Sequence, residues 1–185
     1  ATLPADFPEP INLVLITIDA VRADHLGIYG YQRPTSPRLD AYAKAGIVFE
    51  SNFSQGTGTI TSMPSMMTSQ HAFRVKFLPG KRNPLPLAPE NRLLAEVLGQ
   101  AGYRTAAVWP MHYEVTRKWG LCGGFDDCDT SIMPRNLPKK VTSPAILEQA
   151  MAYLEDMVGT YERDGTPFFL WVHFYDPHGD YVPHE

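Results

Sequence analysis

The sequence predicts a layered α/β fold built on a mostly parallel sheet, and three observations carry that expectation. Short, β-branched apolar runs alternate with longer amphipathic stretches. The first of these runs is almost wholly apolar, as suits a strand covered on both faces. It ends on a carboxylate, and open α/β folds build their sites at the carboxyl ends of strands. A chain of 185 residues, 44% hydrophobic and 19% charged, holds enough apolar material for the core of one domain.

The first run is Ile11-Asn12-Leu13-Val14-Leu15-Ile16-Thr17-Ile18, closed by Asp19. Ser36 to Gly46 reads as a helix, with Ser36 as N-cap, Pro37 in the first turn and Gly46 at the stop. Ile47-Val48-Phe49 reads as a further strand. Asn91 to Ala101 places Leu93, Leu94, Val97 and Leu98 on one helical face before Gly102. Tyr103 to Trp109 is a second long strand, Ser143 to Tyr161 a long helix, and Phe168 to Val172 the strand after it. Lys76 to Pro89, rich in proline and basic residues, is expected to run over the surface. No internal repeat or low-complexity tract interrupts this order.

Charge and cysteines narrow the function. A net charge of −4 supplies no basic field for nucleic acid or anionic lipid, so an anionic substrate needs a local device such as a cation or a helix N-terminus. No apolar run reaches the roughly 20 residues of a membrane span. Cys122 and Cys128 are compatible with a local disulfide, and hence an oxidising compartment, or with two free thiols. The sequence starts at Ala1 without a signal-like segment and stops at Glu185 soon after a strand, so a longer parent chain is expected.

The residues with chemistry cluster in three segments. The first runs from Asp19-Ala20-Val21-Arg22-Ala23-Asp24-His25-Leu26-Gly27 through Tyr29-Gly30-Tyr31 to Arg33-Pro34-Thr35-Ser36-Pro37-Arg38-Leu39-Asp40. The second is Gly58-Thr59-Ile60-Thr61-Ser62-Met63-Pro64-Ser65-Met66-Met67-Thr68-Ser69. The third is Phe168 to Val172 followed by His173-Phe174-Tyr175-Asp176-Pro177-His178-Gly179-Asp180-Tyr181-Val182-Pro183. Taken alone, Asp19 reads equally as a helix N-cap.

Together these segments closely resemble the sulfatase family of the alkaline phosphatase superfamily, from about Ile11 to Pro183. The resemblance implies a three-layer αβα sandwich with a mostly parallel sheet, of which this chain is the N-terminal part of one catalytic domain. It implies that Asp19 binds a divalent metal ion, whether calcium, manganese, zinc or magnesium. Many members carry a second aspartate where Ala20 stands; Asp24 is either its substitute or a surface carboxylate.

The family's nucleophile motif, Cys or Ser-x-Pro-Ser-Arg with a Leu-Leu-Thr-Gly-like tail, fits in two registers. In the favoured one Thr59 takes the nucleophile position, Ser62 matches the serine, Met63 replaces the arginine, and Ser65 to Ser69 form the tail. That register is chosen because the apolar pair Met66-Met67 then falls where it can bury the helix against the sheet. In the other, Ser62 is the nucleophile. A threonine cannot mature to the formylglycine of sulfatases, so Thr59 would act directly as a hydroxyl nucleophile and metal ligand, as in phosphotransferases of the superfamily. His178 maps onto the family histidine that contacts the ester oxyanion. Tyr103 to Trp109 resembles the strand before a Lys-Trp-His element, with Pro110 in the lysine's place and His112 in the histidine's. Ser62 and His112 are thus candidates for substrate contact, while His173 reads as structural. Gly124-Phe125-Asp126 matches a structural turn.

The implied activity is metal-dependent hydrolysis or transfer of phosphate or sulfate esters of a small molecule, glycan or lipid. A catalytically inactive relative that binds anionic glycan or lipid is the alternative. The remaining metal ligands are expected from the rest of the chain, leaving this piece inactive alone, and the family points to the periplasm or the cell exterior, with membrane anchoring in the full-length protein an open possibility.

Overall fold

The computed structural model describes residues 10–81, 85–110, 119–133 and 142–178. In chain order the elements are β1 (Leu13–Ile18), α1 (Pro37–Ala43), α2 (Thr59–Thr68), α3 (Leu94–Gln100), β2 (Arg104–Val108), β3 (Asp127–Asp129), α4 (Ser143–Asp164) and β4 (Phe168–Phe174). They fall into two compact units, Ala1–Asp19 with Gln55–Glu185, and Ala20–Ser54.

The larger unit is a four-stranded, all-parallel sheet in the order β1-β4-β2-β3. Alternate strand residues feed two cores, because successive side chains point to opposite faces. On one face Phe169, Trp171, Ala107 and Trp109 pack with Met63 and Met67 of α2 and with Leu93 and Ala95 at α3. On the other, Phe168, Leu170, Val172, Ala106 and Val108 pack with Ile146, Ala150 and Met157 of α4. Helices on both faces of one sheet make the three-layer αβα arrangement that the sequence leads one to expect.

β1 departs from expectation. It is an edge strand of the described sheet, and its residues alternate in exposure instead of being covered on both faces. Leu13 and Leu15 join the α2 side, whereas Val14, Ile16 and Ile18 are 48%, 58% and 44% exposed. Register places these three on the α4 side, opposite Leu170, Val172 and Phe174. The helix there packs on β4 and β2. Leu147, Met151 and Val158, along one flank of α4, are exposed as well.

Two local devices fix the elements around the site. Asp176 caps α4 from across the chain: its carboxylate accepts hydrogen bonds from the Thr142 and Ser143 amides and the Thr142 hydroxyl. Burial raises the Asp176 carboxyl, but these bonds outweigh it and hold the group below its ordinary value. The turn after Trp119 is tied to β2 by Asp126, whose carboxylate accepts from the Thr105 amide and hydroxyl. Gly124 in that turn has φ +78°, and a Cβ there would lie 2.2 Å from Glu96 Cγ, so only glycine fits. Cys122 and Cys128 form a disulfide that joins the turn to β3, which decides between the alternatives the sequence leaves open.

The long helix extends from Ser143 to Asp164, beyond the expected Tyr161, and β4 continues to Phe174. α3 is shorter than the expected helix, and Val97 on its apolar face is 36% exposed. In the 76–89 segment Leu78 lies on the surface, but Ala88 is buried, and Phe77 bridges to Leu87.

In the smaller unit, α1 begins where expected with Ser36 at its N-cap, but the Ser36 side chain makes no capping hydrogen bond. Its hydroxyl donates to Asp40 and accepts from the Gly27 amide, and Asp40 also accepts from the Ile28 amide. Ile47-Val48-Phe49 is not a strand. Ile47 and Phe49 are 85% and 68% exposed: apolar composition without a neighbouring edge to pair with makes no ladder.

α2 ends on Ser69 with φ 53° and ψ 34°, the left-handed C-cap conformation that glycine adopts without strain. Ser69→Gly is expected to stabilise the full-length protein by about 1 kcal/mol. Urea unfolding checks this, and an unchanged or lowered midpoint would contradict the strained cap.

Candidate active site

Asp19 follows the last residue of β1, and the ladder extends through it, because its amide donates to the Phe174 carbonyl at 2.9 Å. The next residue, Ala20, has φ 55°, a left-handed turn that an alanine rarely makes. A carboxylate held by sheet hydrogen bonds and followed at once by a sharp turn is rigidly presented at the sheet's rim.

Thr59 is the first residue of α2, after the extended N-cap Gly58. Met63 and Met67, four and eight residues on, anchor the same side of the helix to the sheet. This brings Thr59 to Asp19: the Thr59 hydroxyl donates to Asp19 Oδ2 at 3.1 Å across 40 residues of sequence. Ser62, one turn further in, donates instead to the Gly58 carbonyl at 3.2 Å, so its hydroxyl is engaged within its own helix.

The backbone bears on the register. The glycine of the family tail falls on Ser69 when Thr59 takes the nucleophile position, and Ser69 is the left-handed residue that would favour glycine. The expectation about the apolar pair is half corrected, since Met67 is 2% exposed but Met66 is 39% exposed. Met63, Pro64 and Met67 are the apolar residues that bury the helix.

His173, read from sequence as structural, is 3% exposed and lies beside this pair. Its Nε2 is 3.9 Å from Asp19 Oδ2, and its Nδ1 is 2.8 Å from the Thr17 hydroxyl. That hydroxyl in turn accepts from Trp171 Nε1 at 3.0 Å. Burial pushes His173 down to about 4, against the opposing pull of Asp19, so the ring is neutral at physiological pH. In the parallel sheet Thr17 and His173 are register partners, with Thr17 two positions before Asp19.

His178 lies four residues past the carboxyl end of β4 and is exposed. Its Nδ1 is 2.7 Å from the Tyr175 hydroxyl, and the two rings stack at 4.6 Å. With Tyr175 donating, the ring's proton resides on Nε2. Asp24 is an exposed carboxylate in ion pairs with Arg22 and His25. Hydrogen bonds from Arg22 and then His25 hold it well below the usual carboxylate range, so its contacts are those of a surface carboxylate. His112 lies outside the described residues, while Pro110, in the place of the family lysine, is buried.

The donors suit part of a metal site. Asp19 and Thr59 offer a carboxylate and a hydroxyl, both oxygen, at one strand end, as a hard divalent cation requires. Among the described residues no group of three or more His, Cys, Asp or Glu converges to complete a site, so further ligands would have to join them.

A parallel sheet with helices on both faces, a carboxylate at the end of its first strand and a hydroxyl at the N-terminus of α2 fit an alkaline phosphatase-like α/β fold. The sulfatase family profile matches residues 11–185, and the chain belongs to that family. Human arylsulfatase A is 26% identical over 218 residues, covering 95% of this chain and 42% of the relative. The zinc complex of the C-terminal periplasmic domain of EcEptC from Escherichia coli superimposes with a TM-score of 0.69 at 21% identity, over 96% of this chain and 48% of that one. The soluble domain of lipooligosaccharide phosphoethanolamine transferase A from Neisseria meningitidis gives 0.60 at 20% identity, over 95% and 48%. The chain thus spans less than half the length of these proteins.

Proposed function

We propose that this chain is the nucleophile-bearing part of a metal-dependent esterase or transferase that favours phosphoesters over sulfate esters. The contact between the Thr59 hydroxyl and Asp19 carries the reading. Asp19 Oδ2 accepts the hydroxyl proton, which orients an oxygen lone pair of Thr59 away from the carboxylate. Thr59 Oγ forms a bond to phosphorus as the bond to the leaving oxygen breaks; the Thr59 proton passes to solvent, and the departing oxygen takes a proton from solvent. Water or an acceptor alcohol then displaces the phosphoryl group from Thr59. The Thr59 and Ile60 amides at the start of α2 and the Nε2–H of His178 hold the non-bridging oxygens. A divalent cation, when bound, would lower the hydroxyl's pKa and offset the ester's charge; Asp19 and Thr59 would hold it together with ligands from the rest of the domain.

Phosphoester chemistry is preferred because three positions depart from the sulfatase pattern. Thr59 cannot yield formylglycine, Met63 stands where the motif has arginine, and Ala20 stands where a second aspartate is usual. The likeness to a phosphoethanolamine transferase supports this choice, and the periplasmic likeness supports action outside the cytoplasm. The departures at Ala20, Met63 and Pro110 motivate a second reading: an inactive relative whose cleft binds anionic glycan or lipid.

Assay of the full-length protein with aryl phosphate, phosphodiester and aryl sulfate, each with manganese, calcium, zinc or magnesium, separates these readings. Turnover of a phosphoester above the sulfate is expected. Sulfate turnover alone would overturn the preference, and no turnover with no metal uptake would favour the binding protein.

A further inference from the structure

We propose that His173 is a positioning residue for Asp19: its Nε2–H, aimed by the Thr17 hydroxyl, holds the carboxylate in the orientation that lets it and Thr59 ligate a divalent cation. The inference rests on the metal-site reading of Asp19 given above.

Trp171 and His173 are buried, Thr17 is half-buried, and the three side chains form a hydrogen-bonded chain. Trp171 Nε1 can only donate, and it donates to Thr17 Oγ1 at 3.0 Å. The Thr17 hydroxyl then has one proton to give, with two acceptors in range: His173 Nδ1 at 2.8 Å and the Val172 carbonyl at 3.5 Å. Both contacts are within hydrogen-bond range; in the proposed arrangement the hydroxyl gives its proton over the shorter one, Nδ1 accepts it, and the neutral imidazole carries its own proton on Nε2. That nitrogen lies 3.9 Å from Asp19 Oδ2, beyond hydrogen-bond length, so its hold on the carboxylate is electrostatic.

Aromatic rings flank the imidazole. Trp109 meets the His173 ring edge-on at 5.8 Å, and Trp171 lies at 6.3 Å. A ring so confined can act on the carboxylate only through Nε2. A ligating carboxylate whose oxygen is held by an N–H donor keeps one orientation, and loss of such outer partners typically weakens metal binding about 10–100-fold.

The test titrates Mn2+ into chelator-stripped full-length protein, counting free ion by its EPR signal. Thr17→Val keeps the side-chain volume and removes the hydroxyl; His173→Phe keeps the ring and removes both nitrogens; His173→Gln restores an N–H donor. Thr17→Val and His173→Phe are expected to weaken Mn2+ binding about 10–100-fold, with His173→Gln returning to within a few-fold of wild type. Where His173→Phe fails to fold, Thr17→Val decides. Unchanged Mn2+ affinity in Thr17→Val and His173→Phe, with binding lost in Asp19→Asn, overturns the role of His173 and leaves the metal site standing. Unchanged affinity in Asp19→Asn overturns both.

Discussion

Thr59→Ala is expected to abolish phosphoester turnover by the full-length protein, a loss of about 10⁴-fold or more in kcat, as for removal of a nucleophile that acts within a coupled group. Such a loss corresponds to roughly 5.5 kcal/mol of transition-state stabilisation. Folding should hardly respond. The side chain is only half-buried and makes one described side-chain hydrogen bond, to Asp19, for which about 1 kcal/mol of stability is the ordinary scale. Thr59→Ser should retain turnover, since it keeps the hydroxyl in place. Ser62→Ala should retain most of it, because the Ser62 hydroxyl is spent on the Gly58 carbonyl. Activity that survives Thr59→Ala and disappears in Ser62→Ala would reverse the register of α2.

Asp19→Asn is the second large effect. The amide keeps the shape and can still accept the Thr59 hydrogen bond, but it removes the negative charge that attracts a cation. Metal affinity should fall by more than the roughly 10–100-fold seen when an outer partner is lost, and turnover should fall with it. The metal-free protein should be no less stable than wild type, because Asp19 is a largely covered carboxylate, 16% exposed in its side chain, whose charge is costly to bury. Calorimetric titration and thermal unfolding of the same samples separate the two effects. Loss of stability without loss of metal affinity would make Asp19 a structural cap.

The sheet was legible in the sequence because Leu13–Ile18, Arg104–Val108 and Phe168–Phe174 are dense in β-branched and aromatic residues. The exposure of β1 was not, since an apolar run states what a strand can bury and not what covers it. Ile47-Val48-Phe49 misled for the same reason: composition marks a strand, but pairing makes one. Asp19 was readable as a strand-end carboxylate, whereas its contact with Thr59 spans 40 residues and follows only from motif resemblance. His173 was hidden by alternation, which assigns a residue to the core without saying what its ring edge faces. The two cysteines, six residues apart, left their state open until the fold brought them together.

The central claim is that the Thr59 hydroxyl is the nucleophile, and trapping the covalent intermediate tests it most directly. Full-length, metal-loaded protein is mixed with an aryl phosphate, quenched in acid within one turnover, digested and sequenced by mass spectrometry. One phosphoryl group on Thr59, absent from the Asp19→Asn protein, is the expected result. A phosphoryl group on Ser62, or an aldehyde in place of the Ser62 side chain, would contradict the account.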